Sequence, residues 1–67
     1  MITIELNGRD QTLPEASTVD DLFPIIGSDG RNVAVVVNEM IVRPENRASH
    51  WLQDGDHVEI LVLAGGG

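Results

Sequence analysis

The chain has 67 residues, enough for one domain with a modest core but not for a catalytic cleft walled on both sides. Cysteine is absent, which excludes disulfides, thiolate catalysis and Cys-based metal sites. Eleven acids against four bases give a net charge of −7, which disfavours nucleic acid and anionic membrane surfaces and favours a partner with a basic docking face.

Ile2, Ile4 and Leu6 alternate with Thr3 and Glu5, the period of a half-buried strand. Asn7-Gly8 is a strong hairpin signal, because both central positions of the favoured turn need positive φ. A second strand, about Arg9 to Leu13, should return antiparallel until Pro14 ends it. Thr18 opens a helix, with Asp21 in a capping-box-like position and Asp20 and Asp21 complementing the positive end of the helix dipole. Val19, Leu22, Phe23 and Ile26 form one apolar stripe, and Gly27 is a natural stop. Pro24 conflicts with an uninterrupted helix, so the helix is expected to be short or kinked there.

Ser28-Asp29-Gly30 reads as loop. The β-branched run Val33-Ala34-Val35-Val36-Val37 predicts a central strand covered on both faces. Asn38-Glu39 turns the chain into a short partner strand, Met40-Ile41-Val42, and Pro44 to Ser49 reads as one irregular or 3₁₀ turn. Asp54-Gly55 signals a tight turn before a last strand from His57 to Leu63. In that strand Val58, Ile60 and Val62 share one face, and His57, Glu59, Leu61 and Leu63 share the other. The order predicts an α+β domain over residues 1–63, with one main helix packed on a mixed sheet of about four to five strands.

Ala64-Gly65-Gly66-Gly67 follows the last strand and is expected to be a flexible tail. Three terminal glycines by themselves also fit a frayed end. Glycine lets a chain pass through a narrow slot, so the carboxylate of Gly67 would stand clear of the domain and reach a partner's active site. No apolar run is long enough to span a membrane, and MITIEL lacks the regions of a signal peptide, so a cytoplasmic location is expected.

The remaining candidate residues carry weaker signals. His50 and His57 have no cysteine and no carboxylate at ligand spacing, so no metal site is expected. Asp54 and Asp56 flank a turn glycine and read as turn formers before they read as a catalytic pair. Glu5, Asp20 and Asp21 read as a solvated face. Leu61 and Leu63, with Val35 or Val37, are candidates for exposed aliphatics on the sheet face that the helix leaves open, a docking surface beside the tail.

Several segments together carry a family resemblance: Asn7-Gly8, Thr18-Val19-Asp20-Asp21-Leu22, Val33 to Asn38, Ile41-Val42, Asp54-Gly55-Asp56-His57-Val58-Glu59-Ile60, and the terminal glycines. Over its whole length the chain resembles the ThiS-type sulfur carriers of the ubiquitin-like, ThiS/MoaD-like family. The resemblance implies a β-grasp fold and a carrier that is not itself an enzyme. It implies that an E1-like adenylating enzyme (ThiF/MoeB-like) uses ATP to adenylate the terminal glycine carboxylate. A persulfide-bearing sulfur donor, such as a cysteine desulfurase, then leaves a thiocarboxylate there. It further implies that Gly67 is the reactive residue, that Gly65 and Gly66 thread the partner's active site, and that the sulfur passes to a ThiG-like thiazole synthase for thiamine. The chain itself is expected to bind no cofactor.

The match has departures. Two terminal glycines are common in the family, so Gly67 is either the reactive residue or an extra one to be trimmed. Here Arg43 precedes Pro44 where the reverse order is frequent, and Arg47 stands where a Trp is common, with Trp51 further on. These changes are expected on a surface loop, where they bear on partner choice more than on fold. Two other readings share the fold: the small subunit of a molybdopterin-synthase-like complex, and a ubiquitin-like interaction module whose tail is never activated.

Overall fold

The computed structural model describes residues 1–63. Strand β1 (Ile2–Leu6) and strand β2 (Arg9–Leu13) form an antiparallel hairpin in which Leu6 faces Arg9 and Ile2 faces Leu13. Asn7 at φ 51° and Gly8 at φ 83° make the two-residue turn, whose twist matches that of the strands. A second hairpin joins β3 (Val33–Val37) to β4 (Met40–Val42). Its turn, Asn38 at φ 49° and Glu39 at φ 71°, is left-handed at both positions without a glycine. The Asn38 side chain holds it. Its carboxamide oxygen accepts from the His57 amide at 2.9 Å, and its nitrogen donates to Asp56 Oδ1 at 2.9 Å.

The last strand, β5 (His57–Val62), inserts between the two hairpins, giving the order β2-β1-β5-β3-β4. It runs parallel to β1 and antiparallel to β3, so the sheet is mixed. The centre of the sheet is therefore β5. The β-branched run of β3 is covered on one face, not both: Val33, Val35 and Val37 are buried, while Ala34 and Val36 lie half-open on the other side.

The helical segment lies over the buried face in two parts. Val19–Leu22 is a 3₁₀ turn and α1 (Phe23–Ile26) is a single α turn. The Asp21 carboxylate accepts from the Thr18 amide at 2.8 Å, in the expected capping-box arrangement. Pro24 sets the division. It has no N–H to return to Asp20, so Phe23 donates to Asp20 in 3₁₀ fashion, and Pro24 sits in the first turn of α1, where a missing donor costs nothing. Gly27, at φ 72°, closes the segment, and Ser28 donates to the Phe23 carbonyl at 3.0 Å. Val19, Leu22 and Phe23 are buried against Ile4, Leu6, Leu13, Val35, Val58 and Ile60. Ile26 departs from the expected stripe: the helix ends there and leaves it 36% exposed.

Pro44–Ser49 is a 3₁₀ turn. It is not only surface. Arg47 within it is 6% exposed. Its guanidinium donates to the carbonyls of Gly30 at 2.9 Å and Val33 at 3.0 Å, and lies 5.2 Å from the centroid of the Phe23 ring. The residue expected to vary with partner choice is thus a structural one, tying the loop before β3 to the helix. Downstream, Val19 donates to the His50 carbonyl and Leu52 to the Ser17 carbonyl, which seats Leu52 in the core and leaves Trp51 exposed.

Candidate functional site

Among the described residues the sheet has one face without a helix, and the β alternation decides what stands on it. Thr3 and Glu5 of β1, His57, Glu59 and Leu61 of β5, Ala34 and Val36 of β3 and Ile41 of β4 point to that side. Leu61 faces Ala34, Glu59 faces Val36, and Val36 faces Ile41 across the ladders. The open face therefore divides. Its β3–β4 half, with Leu61, is aliphatic. Its β1 side is polar, where His57 Nδ1 lies 3.3 Å from Glu5 Oε2.

Leu61 is 48% and Leu63 53% exposed, as the docking reading requires. Val35 and Val37 are not part of it. Both are buried, because their register with Ile60 and Val58 turns them toward the helix. Ala34, Val36 and Ile41 take their place. Val62 shares the helix-side orientation of Val58 and Ile60 but is 81% exposed, because the short helix stops before covering that end of the sheet.

Two asparagines hold the exit of β5. The parallel pairing with β1 ends at Leu6, which would leave the Ile60 amide without a ladder partner. The Asn7 side-chain oxygen accepts from it at 2.8 Å, while the Asn7 amide donates to the Val58 carbonyl at 2.9 Å. On the other side, the Leu63 amide donates to the Asn32 carbonyl at 2.8 Å. The chain thus leaves the sheet beside the 28–32 loop, the same loop that Arg47 anchors. Gly65, Gly66 and Gly67 lie outside the described residues. Sequence reasoning missed Asn7 and Arg47 as determinants of the exit. Asn7 was legible as a turn former, but nothing in the sequence places its carboxamide against a strand fifty-three positions away.

The Asp54-Gly55-Asp56 turn is structural, as its spacing suggested. Asp54 Oδ1 accepts from the Thr3 amide at 2.7 Å, and Gly55 donates to the Thr3 carbonyl at 2.8 Å. Asp56 Oδ2 accepts from the Gln53 amide at 2.8 Å, and its other oxygen takes Asn38. Among the described residues, no group of three or more His, Asp and Glu side chains is placed to hold a metal ion. No described helix is long and apolar enough to cross a membrane.

A mixed five-stranded sheet grasping one short helix, with its last strand in the middle and an aliphatic patch beside the end of that strand, defines a small ubiquitin-like β-grasp domain. The chain belongs to the ThiS family, which matches residues 3–67. Its fold is similar to the crystal structure of a thiamine biosynthesis protein (ThiS) from Geobacter metallireducens. The TM-score is 0.82 at 28% identity, over 98% of this chain and 100% of that one. It is also 37% identical over 62 residues to a thiazole synthase from Paramagnetospirillum magneticum. That alignment takes in 92% of this chain but 19% of the synthase, so the chain spans about a fifth of the relative's length.

Proposed function

We propose that this chain is a sulfur carrier for thiazole formation in thiamine biosynthesis, acting as a substrate of its partners and not as an enzyme. An E1-like adenylating enzyme joins the Gly67 carboxylate to AMP from ATP, releasing pyrophosphate. The terminal sulfur of a persulfide, supplied by a donor such as a cysteine desulfurase, displaces AMP. Reductive cleavage of the resulting acyl disulfide by a second thiol leaves the thiocarboxylate, which a thiazole synthase consumes. The chain holds no cofactor of its own in this scheme; ATP belongs to the activating partner.

The observation that carries the proposal is the family match, which runs from β1 through Gly65, Gly66 and Gly67. The chemistry agrees with it. A carboxylate is a poor acyl donor, adenylation supplies a leaving group, and covalent activation divides one hard step into easier ones. Glycine at the reacting end leaves the carbonyl unhindered. The name of the relative from Paramagnetospirillum magneticum favours a thiazole synthase as the acceptor. Leu61 and Leu63, joined by Val36 and Ile41, form the docking patch for the activating enzyme, and the acids around them suit a basic rim on that enzyme.

The test is the intact mass of the protein after incubation with an E1-like enzyme, ATP and a persulfide donor. The expected result is an ATP-dependent gain equal to exchange of one oxygen for sulfur, mapped to Gly67. No adduct with any of several activating enzymes, with the chain ending at Gly67 or trimmed to Gly66, would refute the carrier reading and leave a plain interaction module.

A further inference from the structure

A second surface lies on the opposite side of the sheet from the docking patch. β2 is a terminal strand, and among the described residues its outer edge has no strand beside it. The register shows which backbone groups that edge presents. Thr3 and Glu5 direct their backbone groups toward the 54–56 turn: Thr3 to Asp54 and Gly55, and Glu5 to the Asp56 carbonyl. Their antiparallel partners, Thr12 and Asp10, must then direct theirs away from β1, to the free edge. One of these groups has a local partner, the Thr12 carbonyl, which accepts from Gln11 Nε2 at 3.1 Å.

Alongside this edge, on the helix side, Leu6, Arg9, Gln11, Ile25 and Ile26 line an open depression. Ile25 and Ile26 are exposed because α1 ends after one turn. The charge here is opposite to that of the molecule. Of the four arginines in a chain of net charge −7, Arg47 is buried, while Arg9 is exposed on the rim of this depression. Among the described residues, no Asp or Glu lines the depression beside β2.

We propose that this edge and the depression beside it bind an extended segment of a partner protein as an added strand on β2, with apolar side chains over Ile25 and Ile26 and carboxylates at the Arg9 end. Main-chain bonds to Asp10 and Thr12 hold the segment, and side chains at alternate positions fill the apolar floor. Arg9 lies on the helix side of β2 at its first position, so a segment running antiparallel to β2 brings its C-terminal carboxylates there. Positions facing the other side of the sheet meet Asp10 and are neutral. The surface is separate from Leu61 and Ile41, so a partner can hold the domain here while the open face and the end of β5 remain free. The proposal stands whether or not Gly67 is activated.

The test is titration of the isotope-labelled full chain with the capped peptide Thr-Ile-Thr-Val-Thr-Glu-Glu, followed by amide chemical shifts. Saturable shifts at Asp10, Thr12, Ile25 and Ile26, without shifts at Ile41 and Leu61, are expected. Replacing the two Glu residues by Lys should weaken binding, and Arg9→Glu should weaken binding of the original peptide about fivefold through loss of an exposed ion pair and a new like-charge contact. Thr12→Pro removes an outward amide, a change an edge strand tolerates, and should abolish the shifts. If that variant does not fold, Ile26→Glu makes the same test on a partly exposed side chain. Shifts confined to the open face, equal binding of the Lys peptide, no saturable shift, or pairing of β2 with a second copy of the chain in the absence of peptide would each overturn the proposal.

Discussion

Arg47→Ala tests how the end of β5 is supported. The change deletes two charge-assisted hydrogen bonds, to the Gly30 and Val33 carbonyls, and the contact with the Phe23 ring. Hydrogen bonds to charged groups contribute about 1.5–3 kcal/mol each, and a carbonyl left buried without a donor costs about 1–3 kcal/mol. The variant also regains the cost of burying a guanidinium whose Nε has no partner among the described residues, which offsets part of that loss. The net destabilisation should be about 2–4 kcal/mol. A domain of this length has about 3–10 kcal/mol in total, so the variant should lose much of its stability. Urea unfolding followed by circular dichroism reads this directly. With a slope of about 1 kcal/mol/M for so small a domain, the midpoint should fall by about 2–4 M. Arg47→Lys should recover little, since one ammonium cannot fork between two carbonyls. Native-state amide exchange adds the local readout. The Leu63 amide, bonded to Asn32 in the loop that Arg47 anchors, should lose protection beyond what the global change explains. A midpoint within about 0.5 M of the parent, or an Arg47→Met variant as stable as the parent, would refute the reasoning, because packing alone would then account for the site.

Three further outcomes follow from the same contacts. Asn7→Gly keeps the left-handed turn but removes the acceptor of the Ile60 amide; it should cost about 1–2 kcal/mol, with faster exchange at Ile60, and unchanged protection there would contradict the assigned role. Leu61→Asp on the open face should leave the unfolding free energy within about 0.5 kcal/mol of the parent, since the side chain is half exposed, while slowing thiocarboxylate formation in the intact-mass assay; normal formation would remove Leu61 from the docking patch. Leu22→Ala should cost about 2–5 kcal/mol in the same denaturation assay, because Leu22 is fully buried between the helix and the sheet; a loss under about 1 kcal/mol would mean the helix contributes little to the core.

Local rules settled the elements. Alternation in residues 2–6 and 57–63, the Asn7-Gly8 turn, the conflict at Pro24 and the Asp54-Gly55-Asp56 turn were all legible, because each rests on contacts or dihedrals within a few residues. The two faces of each strand were equally legible, since side-chain direction alternates whatever the strand packs against. Tertiary structure decided what covers each face. It placed β5 in the middle of the sheet, buried Val35 and Val37, and left Val62 and Ile26 in the open where the helix stops short. It also turned Arg47 inward to the Gly30 and Val33 carbonyls and brought Asn7 against Ile60. Such pairings join residues far apart in the chain. Their energy depends on which carbonyl or amide lacks a partner once the sheet has formed, and that information arises only in the assembled fold.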